Sequence, residues 1–170
     1  IEMVPQDISA LIYLTRCHDY LSTGAHVSTG ELNNRLEWKD SYNLGIAEID
    51  LAHRELFERM SAFNAIVHKG DAQALDEVLT FLESHTRDYF STEEALMHRY
   101  RYPFLEYHLQ EHRRFIRDIA SLRAAVDEGK TDPLYLSFRT MLIMCDWFTG
   151  HFTKADRHMA RYLLGQMASD

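Results

Sequence analysis

The stretch HTRDYFSTEEALMHRYRYP, residues 85–103, carries polar side chains on a helical face that is otherwise apolar. His85, Tyr89 and Glu93 follow one another at intervals of four residues, which brings them to the same side of an α-helix. A carboxylate buried on that face without a partner would be very unfavourable. Glu93 therefore stands where a metal ligand is expected, and Tyr89 lies one turn before it.

Helical periodicity extends from this stretch along most of the chain. Only seven Gly and three Pro occur among 170 residues, which favours long helices. The apolar stripes predict four helices, over about 47–68, 71–99, 103–128 and 133–164. Asp71 is the expected N-cap of the second helix, and Pro133 suits the first turn of the fourth. Four amphipathic helices joined by short turns predict an all-α, up-down-up-down four-helix bundle.

Residues 1–37 differ in character from the bundle segment, residues 38–170. The run PQDISALIYLTRCHDYLS predicts an amphipathic helix, and STGAHVSTGELNN predicts a polar linker. This N-terminal extension either packs on the bundle or links it to a preceding or partner segment. Because the chain starts with Ile1 rather than Met, we expect it to be a fragment of a longer protein.

Composition excludes several classes of partner. The net charge of −8 argues against nucleic acid, because phosphate contacts require clustered Lys and Arg. No apolar run is long enough to cross a membrane, and no secretory signal opens the chain. Cys17 and Cys145 are far apart and have no zinc-site spacing, so we expect reduced thiols and a cytoplasmic location.

Six polar side chains interrupt the apolar stripes of the four predicted helices: His53, Glu93, His108, His112, His151 and Asp156. A single histidine on an apolar face is usually a hydrogen-bonded core residue, but six such groups from four helices are difficult to explain in that way. Neutral imidazoles and carboxylates are metal ligands, and two carboxylates with several histidines suggest two metals. The set suits non-haem iron best, with manganese or zinc as lesser options. The Glu-x-x-His motif of ferritin-like di-iron bundles is absent.

The order of these residues resembles the hemerythrin family, in its bacterial form, over roughly residues 38–160. The matching pieces are W-x-x-x-x-x-x-G-x-x-x-I-D-x-x-H-x-x-L from Trp38 to Leu56, FSTEEALM from Phe90 to Met97, Tyr102-Pro103, H-x-x-x-H-x-x-F from His108 to Phe115, and W-x-x-x-H-x-x-x-x-D from Trp147 to Asp156. Each piece alone is a modest signal, but their order and spacing together are specific.

This resemblance implies a non-haem di-iron centre that binds dioxygen. It assigns three histidines to the first iron: His108, His112 and His151. Glu93 and Asp156 would bridge the two irons together with an oxo or hydroxo group, and His53 would belong to the second iron, which binds oxygen in family members. An apolar oxygen pocket that excludes water is implied for Leu56, Phe90, Trp147, Phe148 and Phe152.

One position departs from the family pattern. Family members commonly carry Y-T-x-x-H-F where residues 85–90 read H-T-R-D-Y-F, so Tyr89 stands where the second iron usually has a further histidine. Three outcomes are open: Tyr89 ligates as a phenolate, His85 supplies the missing ligand, or water or a small anion fills the position. We favour the third, with His85 and Tyr89 hydrogen-bonded to each other above the metal.

A missing nitrogen ligand would make oxidation to the diferric state easier and reversible oxygen storage less secure. We therefore expect a sensory domain that responds to dioxygen, another diatomic ligand or redox state, and not an enzyme with catalytic residues of its own. Related domains are joined to chemotaxis receptors or to diguanylate cyclases, so an attached output module is the expected partner. A free-standing oxygen carrier is the alternative, and a di-iron peroxidase or oxidase is a second one.

Overall fold

The computed structural model describes residues 38–169, so the predicted helix and linker over residues 1–37 lie outside the described residues. The helices are α1 Ala47–Asn64, α2 Ala72–Arg99, α3 Leu105–Glu128, α4 Pro133–Trp147, a π-helix Phe148–Asp156 and α5 Arg157–Met167, with short 3-10 turns at Asp40–Tyr42 and Val67–Lys69. Within residues 38–169 there is no strand. None of these helices combines the length and the apolar character that a membrane span needs.

The helix ends follow the predicted turn chemistry. The Asp71 side chain caps α2 by accepting hydrogen bonds from the backbone N–H groups of Gln73 and Ala74, at 2.9 and 3.1 Å. At the start of α4, Asp132 accepts a hydrogen bond of 2.8 Å from the backbone N–H of Leu134. Gly129 ends α3 in the left-handed region, at φ 64°, where glycine has no steric penalty.

Short connections place consecutive helices side by side and antiparallel, which confirms the predicted up-down-up-down bundle. Two details of the prediction were wrong. The first helix ends at Asn64 instead of His68, because the chain tightens into the 3-10 turn at Val67–Lys69. On α2 the apolar stripe predicted Leu96 to be the last inner residue, but Leu96 is half-buried and Met97 is fully buried instead, because Met97 lies four residues after Glu93 on the inner face.

The fourth helix continues beyond Gly150, as predicted, but its central part is a π-helix of nine residues, Phe148–Asp156. A π-helix has i→i+5 hydrogen bonds, so residues five positions apart lie above one another. His151 and Asp156 have this separation, and both are buried. The π-helix therefore turns two of the predicted ligands to the same side of the fourth helix.

Candidate metal centre

All six predicted ligands are brought together in the interior of the bundle. Their exposed fractions are 3% or less: His53 1%, Glu93 0%, His108 1%, His112 1%, His151 3% and Asp156 0%. One comes from α1, one from α2, two from α3 and two from the π-helix. Burying so many ionisable groups without compensation is unfavourable, so their convergence needs a chemical explanation.

A first donor group consists of Glu93, His108, His112 and His151, whose donor atoms lie within 4.8 Å of one another. Glu93 Oε2 is 3.1 Å from His112 Nε2 and 3.5 Å from His108 Nε2. Asp156 Oδ1 faces the same group, at 2.8 Å from His151 Nε2 and 3.3 Å from His108 Nε2. Three imidazole nitrogens and two carboxylate oxygens thus surround one position.

A second donor group consists of His53, Glu93 and Asp156. His53 Nε2 is 3.2 Å from Asp156 Oδ2, the oxygen that faces away from the first group. The Tyr89 hydroxyl lies in this second group, 2.9 Å from Glu93 Oε1 and 2.8 Å from Asp156 Oδ2, and it also contacts His53 Nε2. Each carboxylate therefore directs one oxygen into each group, which is the arrangement that bridges two cations.

Five buried donor atoms in these groups have no hydrogen-bond partner: Glu93 Oε2, His108 Nε2, His112 Nε2, His151 Nε2 and Asp156 Oδ1. They approach one another to between 2.8 and 3.5 Å without meeting hydrogen-bond geometry. Buried polar atoms in folded proteins are nearly always satisfied, and a metal ion satisfies lone pairs that converge on one position. The residues present therefore fit a metal centre.

Two further carboxylates hold the histidines in orientation. His112 Nδ1 lies 3.0 Å from Glu94 Oε1, and His151 Nδ1 lies 2.8 Å from Glu111 Oε2. With each Nδ1–H donated to a carboxylate, the Nε2 lone pair faces the first donor group, as in many protein metal sites. Glu111 was not among the predicted site residues, and its position beside His112 is the one sequence feature that points to it.

The charges of the two donor groups perturb their own pKa values. Burial lowers the pKa of His151, but the charge of Asp156 and hydrogen bonds to Asp156 and Glu111 raise it to about 10. Burial raises the pKa of Asp156, but its contacts with His151 and His53 hold the pKa well below its usual value. Burial and the charges of Asp156 and Glu93 raise the pKa of the Tyr89 phenol well above its usual value. Without a cation, Tyr89 is consequently a neutral phenol.

The apolar residues assigned to the oxygen pocket are all buried: Leu56, Phe90, Trp147, Phe148 and Phe152. Phe90 stacks on the His112 ring and Trp147 on the His151 ring, each with 3.8 Å between centroids. Phe152 packs against His53, with 4.2 Å between ring centroids. Three of the five side chains therefore pack directly on donor histidines, and the role of the five as an oxygen pocket stays a prediction.

The predicted hydrogen bond between His85 and Tyr89 is wrong. His85 Nε2 donates to the backbone carbonyl of Ala52 at 2.9 Å, and its Nδ1 lies 3.8 Å from Glu55 Oε2. The long side chain of Tyr89 carries its hydroxyl one turn further along α2, to Glu93. The two rings instead stack loosely, with 6.4 Å between centroids.

An open pocket of about 180 Å³ between α1 and α2 reaches Tyr89 from the surface. Its lining includes His85 and three carboxylates, Glu48, Glu55 and Asp88. The second donor group therefore lies behind an acidic pocket. A larger pocket of about 340 Å³ reaches His108, on the side of the first donor group.

Residues 44–163 match the Hemerythrin HHE cation binding domain, a match that covers both donor groups. The chain belongs to the hemerythrin family. Hemerythrin domains bind a di-iron centre and dioxygen, and they are binding proteins rather than enzymes. The clustered His, Glu and Asp side chains of this hemerythrin domain are able to hold metal.

Several bacterial proteins are similar to this hemerythrin domain. A bacteriohemerythrin from Stenotrophomonas maltophilia is 30% identical over 125 residues, covering 74% of this chain and 79% of that protein. A bacteriohemerythrin from Campylobacter jejuni is 29% identical over 120 residues, covering 67% of this chain and 84% of that protein. The match to the Pseudomonas aeruginosa bacteriohemerythrin is 30% identical over 95 residues and spans 62% of that protein. No solved structure gives a significant match.

Proposed function

We propose that this hemerythrin domain holds two irons and is a sensory domain that responds to dioxygen or to redox state. In this proposal His108, His112 and His151 hold the first iron, and His53 belongs to the second. Glu93 and Asp156 bridge the two. When bound, the two irons would supply the electrons that reduce dioxygen. In a carrier they would instead bind dioxygen reversibly.

The observation that carries the proposal is the unequal nitrogen content of the two donor groups. The first contains three histidines and the second contains only His53. Imidazole nitrogen stabilises ferrous iron better than hard oxygen donors do, so a group poor in nitrogen favours the ferric state. An easily oxidised second iron suits a sensor better than a carrier, which must return dioxygen unchanged.

The second donor group also lacks support that the first has. His112 and His151 each contact a carboxylate through Nδ1. His53 Nδ1 is buried and has no hydrogen-bond partner among residues 38–169. Outer hydrogen bonds orient a metal-bound imidazole and raise its basicity, so their absence weakens the hold of the second group on its iron, whatever the oxidation state.

A continuous helix leads from the centre to the end of the bundle. The π-helix that carries His151 and Asp156 passes directly into α5. Arg157, the next residue, donates a hydrogen bond of 2.7 Å to the carbonyl of Ser41, and the Tyr162 hydroxyl donates to the carbonyl of Tyr100 at 3.2 Å. A shift of Asp156 on oxidation would thus alter the hydrogen bonds to the segments that contain Ser41 and Tyr100. We propose that an output module, such as a diguanylate cyclase or a chemotaxis receptor, receives this change.

Anaerobic loading with ferrous iron, followed by exposure to dioxygen, tests the proposal. We expect two irons per chain and one conversion to a diferric absorption spectrum. In this step two electrons pass from the two ferrous ions to dioxygen, which takes up two protons and leaves as hydrogen peroxide. Removal of dioxygen should not restore the ferrous spectrum, whereas added reductant should.

Other results would exclude parts of the proposal. A spectrum that reverses when dioxygen is removed would indicate a carrier, and sustained turnover of peroxide with an electron donor would indicate an enzyme. Fewer than two irons per chain would exclude the di-iron centre itself. A complete reading frame that encodes only a hemerythrin bundle would exclude the attached output module.

A further inference from the structure

The Tyr89 hydroxyl lies at the centre of the second donor group, where three other donor atoms meet. These atoms are His53 Nε2 from α1, Glu93 Oε1 from α2 and Asp156 Oδ2 from the π-helix. Tyr89 itself is 3% exposed, so solvent does not compete for the hydroxyl. Ordinary core packing of a tyrosine ring does not require its oxygen to contact two carboxylates and an imidazole.

The three oxygen atoms of the second donor group share at most two protons, one from the Tyr89 phenol and one from the His53 imidazole. A phenol carries one proton, yet both Glu93 and Asp156 lie within hydrogen-bond distance of the Tyr89 oxygen, at 2.9 and 2.8 Å. The phenol donates this proton to one carboxylate at a time, and only His53 Nε2, 3.2 Å from Asp156 Oδ2, can supply a second proton. A cation between the four atoms would interact favourably with every lone pair that they present.

The distances also agree with those between ligands of one ion. Donor atoms bound side by side at about 2.1 Å, the usual length for first-row metals, lie roughly 3 Å apart. The Tyr89 oxygen is 2.9 Å from Glu93 Oε1 and 2.8 Å from Asp156 Oδ2, and His53 Nε2 is 3.2 Å from Asp156 Oδ2. These three separations are those expected between neighbouring ligands of one ion.

We infer that Tyr89 is a ligand of the second iron, bound through its phenolate oxygen in the position of the missing histidine. This inference rests on the proposed di-iron centre. On binding, the phenol O–H bond breaks, its proton leaves to solvent, and an iron–oxygen bond forms. Tyr89 thus replaces the solvent ligand that the sequence favoured.

The structure offers His85 no comparable role. Its Nε2 is occupied by the carbonyl of Ala52 at 2.9 Å, and its Nδ1 faces Glu55. Its ring stacks on Phe81, with 4.8 Å between centroids. Ligation by His85 would require the loss of each of these contacts, whereas Tyr89 already contacts the donor group.

A phenolate would also explain the preference for the ferric state. With Glu93 and Asp156, Tyr89 would bring a third negative charge to the second iron, whose one nitrogen ligand would be His53. Hard anionic oxygen stabilises a trivalent ion more than a divalent one. The second iron of Tyr89→His should therefore have a higher midpoint potential than that of the original chain.

Resonance Raman spectroscopy of the ferric-loaded full chain tests the inference, because a tyrosinate bound to ferric iron gives a visible charge-transfer band and enhanced phenolate vibrations. We expect both signals in the original chain and their loss in Tyr89→Phe and in Tyr89→His. Tyr102→Phe is the matched control: Tyr102 is also buried, but its hydroxyl bonds to His158 Nδ1 at 2.8 Å. This control should keep both signals.

Iron content separates failure of the inference from failure of the di-iron centre. Two irons per chain without a tyrosinate signal, or a signal that survives Tyr89→Phe, would overturn the role of Tyr89. One iron per chain with the signal would support Tyr89 ligation but exclude the di-iron centre, and one iron without the signal would exclude both. If Tyr89→Phe does not fold, the signal in the original chain and its loss in Tyr89→His decide the question.

Discussion

His151 and Asp156 lie five residues apart on the π-helix, and His151 Nε2 comes within 2.8 Å of Asp156 Oδ1. In an α-helix, five residues would turn the two side chains roughly 140° away from each other. The wider π-helix instead directs both into the bundle interior. The metal centre therefore depends on the helical register of this segment.

Deletion of Lys154 tests this dependence on register. Lys154 is exposed and lies between the two ligands, so its deletion brings them to a separation of four residues. An ordinary α-helix then presents both to the same side. We expect this variant to fold and to bind two irons per chain, measured by metal analysis after anaerobic loading.

Deletion of Gly150 is the matched control, because it removes one residue outside the pair. His151 and Asp156 then keep their five-residue separation in a segment that has become α-helical. We expect a helical circular dichroism spectrum with at least one iron lost. Equal iron contents in the two deletion variants would contradict the argument from register.

The outer carboxylates should affect iron affinity without being ligands. Glu111→Gln weakens the hydrogen bond at His151 Nδ1, and loss of such a bond typically lowers metal affinity by about 10- to 100-fold. Glu94→Gln should have the smaller effect, because its side chain is 38% exposed against 29% for Glu111. Competition with a chelator measures both affinities.

The control for these two variants is Glu106→Gln, which removes a charge from an exposed pair with Arg113 on the same helix as Glu111. Its iron affinity should equal that of the original chain, since surface pairs contribute little. If Glu106→Gln and Glu111→Gln weakened iron binding equally, the effect would come from overall charge and not from the orientation of His151.

The bundle and the six clustered side chains were predictable because both follow from one periodicity. A residue that lies three or four positions from its apolar neighbours on a helix faces the interior with them, whether it is apolar or polar. This rule placed His53, Glu93, His108 and His112 inside before any contact was known. The π-helix also left a signal, since Asp156 follows His151 by five residues and is one residue late for an α-helical stripe.

Contacts between helices were less predictable. The pairing of Glu111 with His151 depends on how α3 lies against the π-helix, and sequence spacing contains no information on that distance. The position of the Tyr89 hydroxyl likewise depends on where α1 and the π-helix bring His53 and Asp156. The predicted hydrogen bond between Tyr89 and His85 was wrong because it followed from the spacing of the two residues on α2 alone and left out the neighbouring helices.

A substitution in one donor group should remove the iron of that group and leave the iron of the other group bound. His53→Ala removes the single histidine of the second group and leaves the three histidines of the first in place. We therefore expect one iron per chain instead of two, with the first retained. Glu93→Gln changes a ligand common to both groups and should reduce binding at both. If His53→Ala retained two irons, the assignment of His53 to a separate second site would be wrong.

Iron should stabilise the fold, because the five unsatisfied donor atoms of the centre are buried at the meeting point of α2, α3 and the π-helix. At a free iron concentration of 100 times the dissociation constant, binding to the folded state adds about 2.7 kcal/mol to the free energy of unfolding. For a chain of this size that corresponds to an increase in Tm of about 5–10 °C. Anaerobic scanning calorimetry before and after chelation measures it. Glu93→Gln should show little increase, and an equal increase in that variant would mean that iron stabilises the protein from elsewhere.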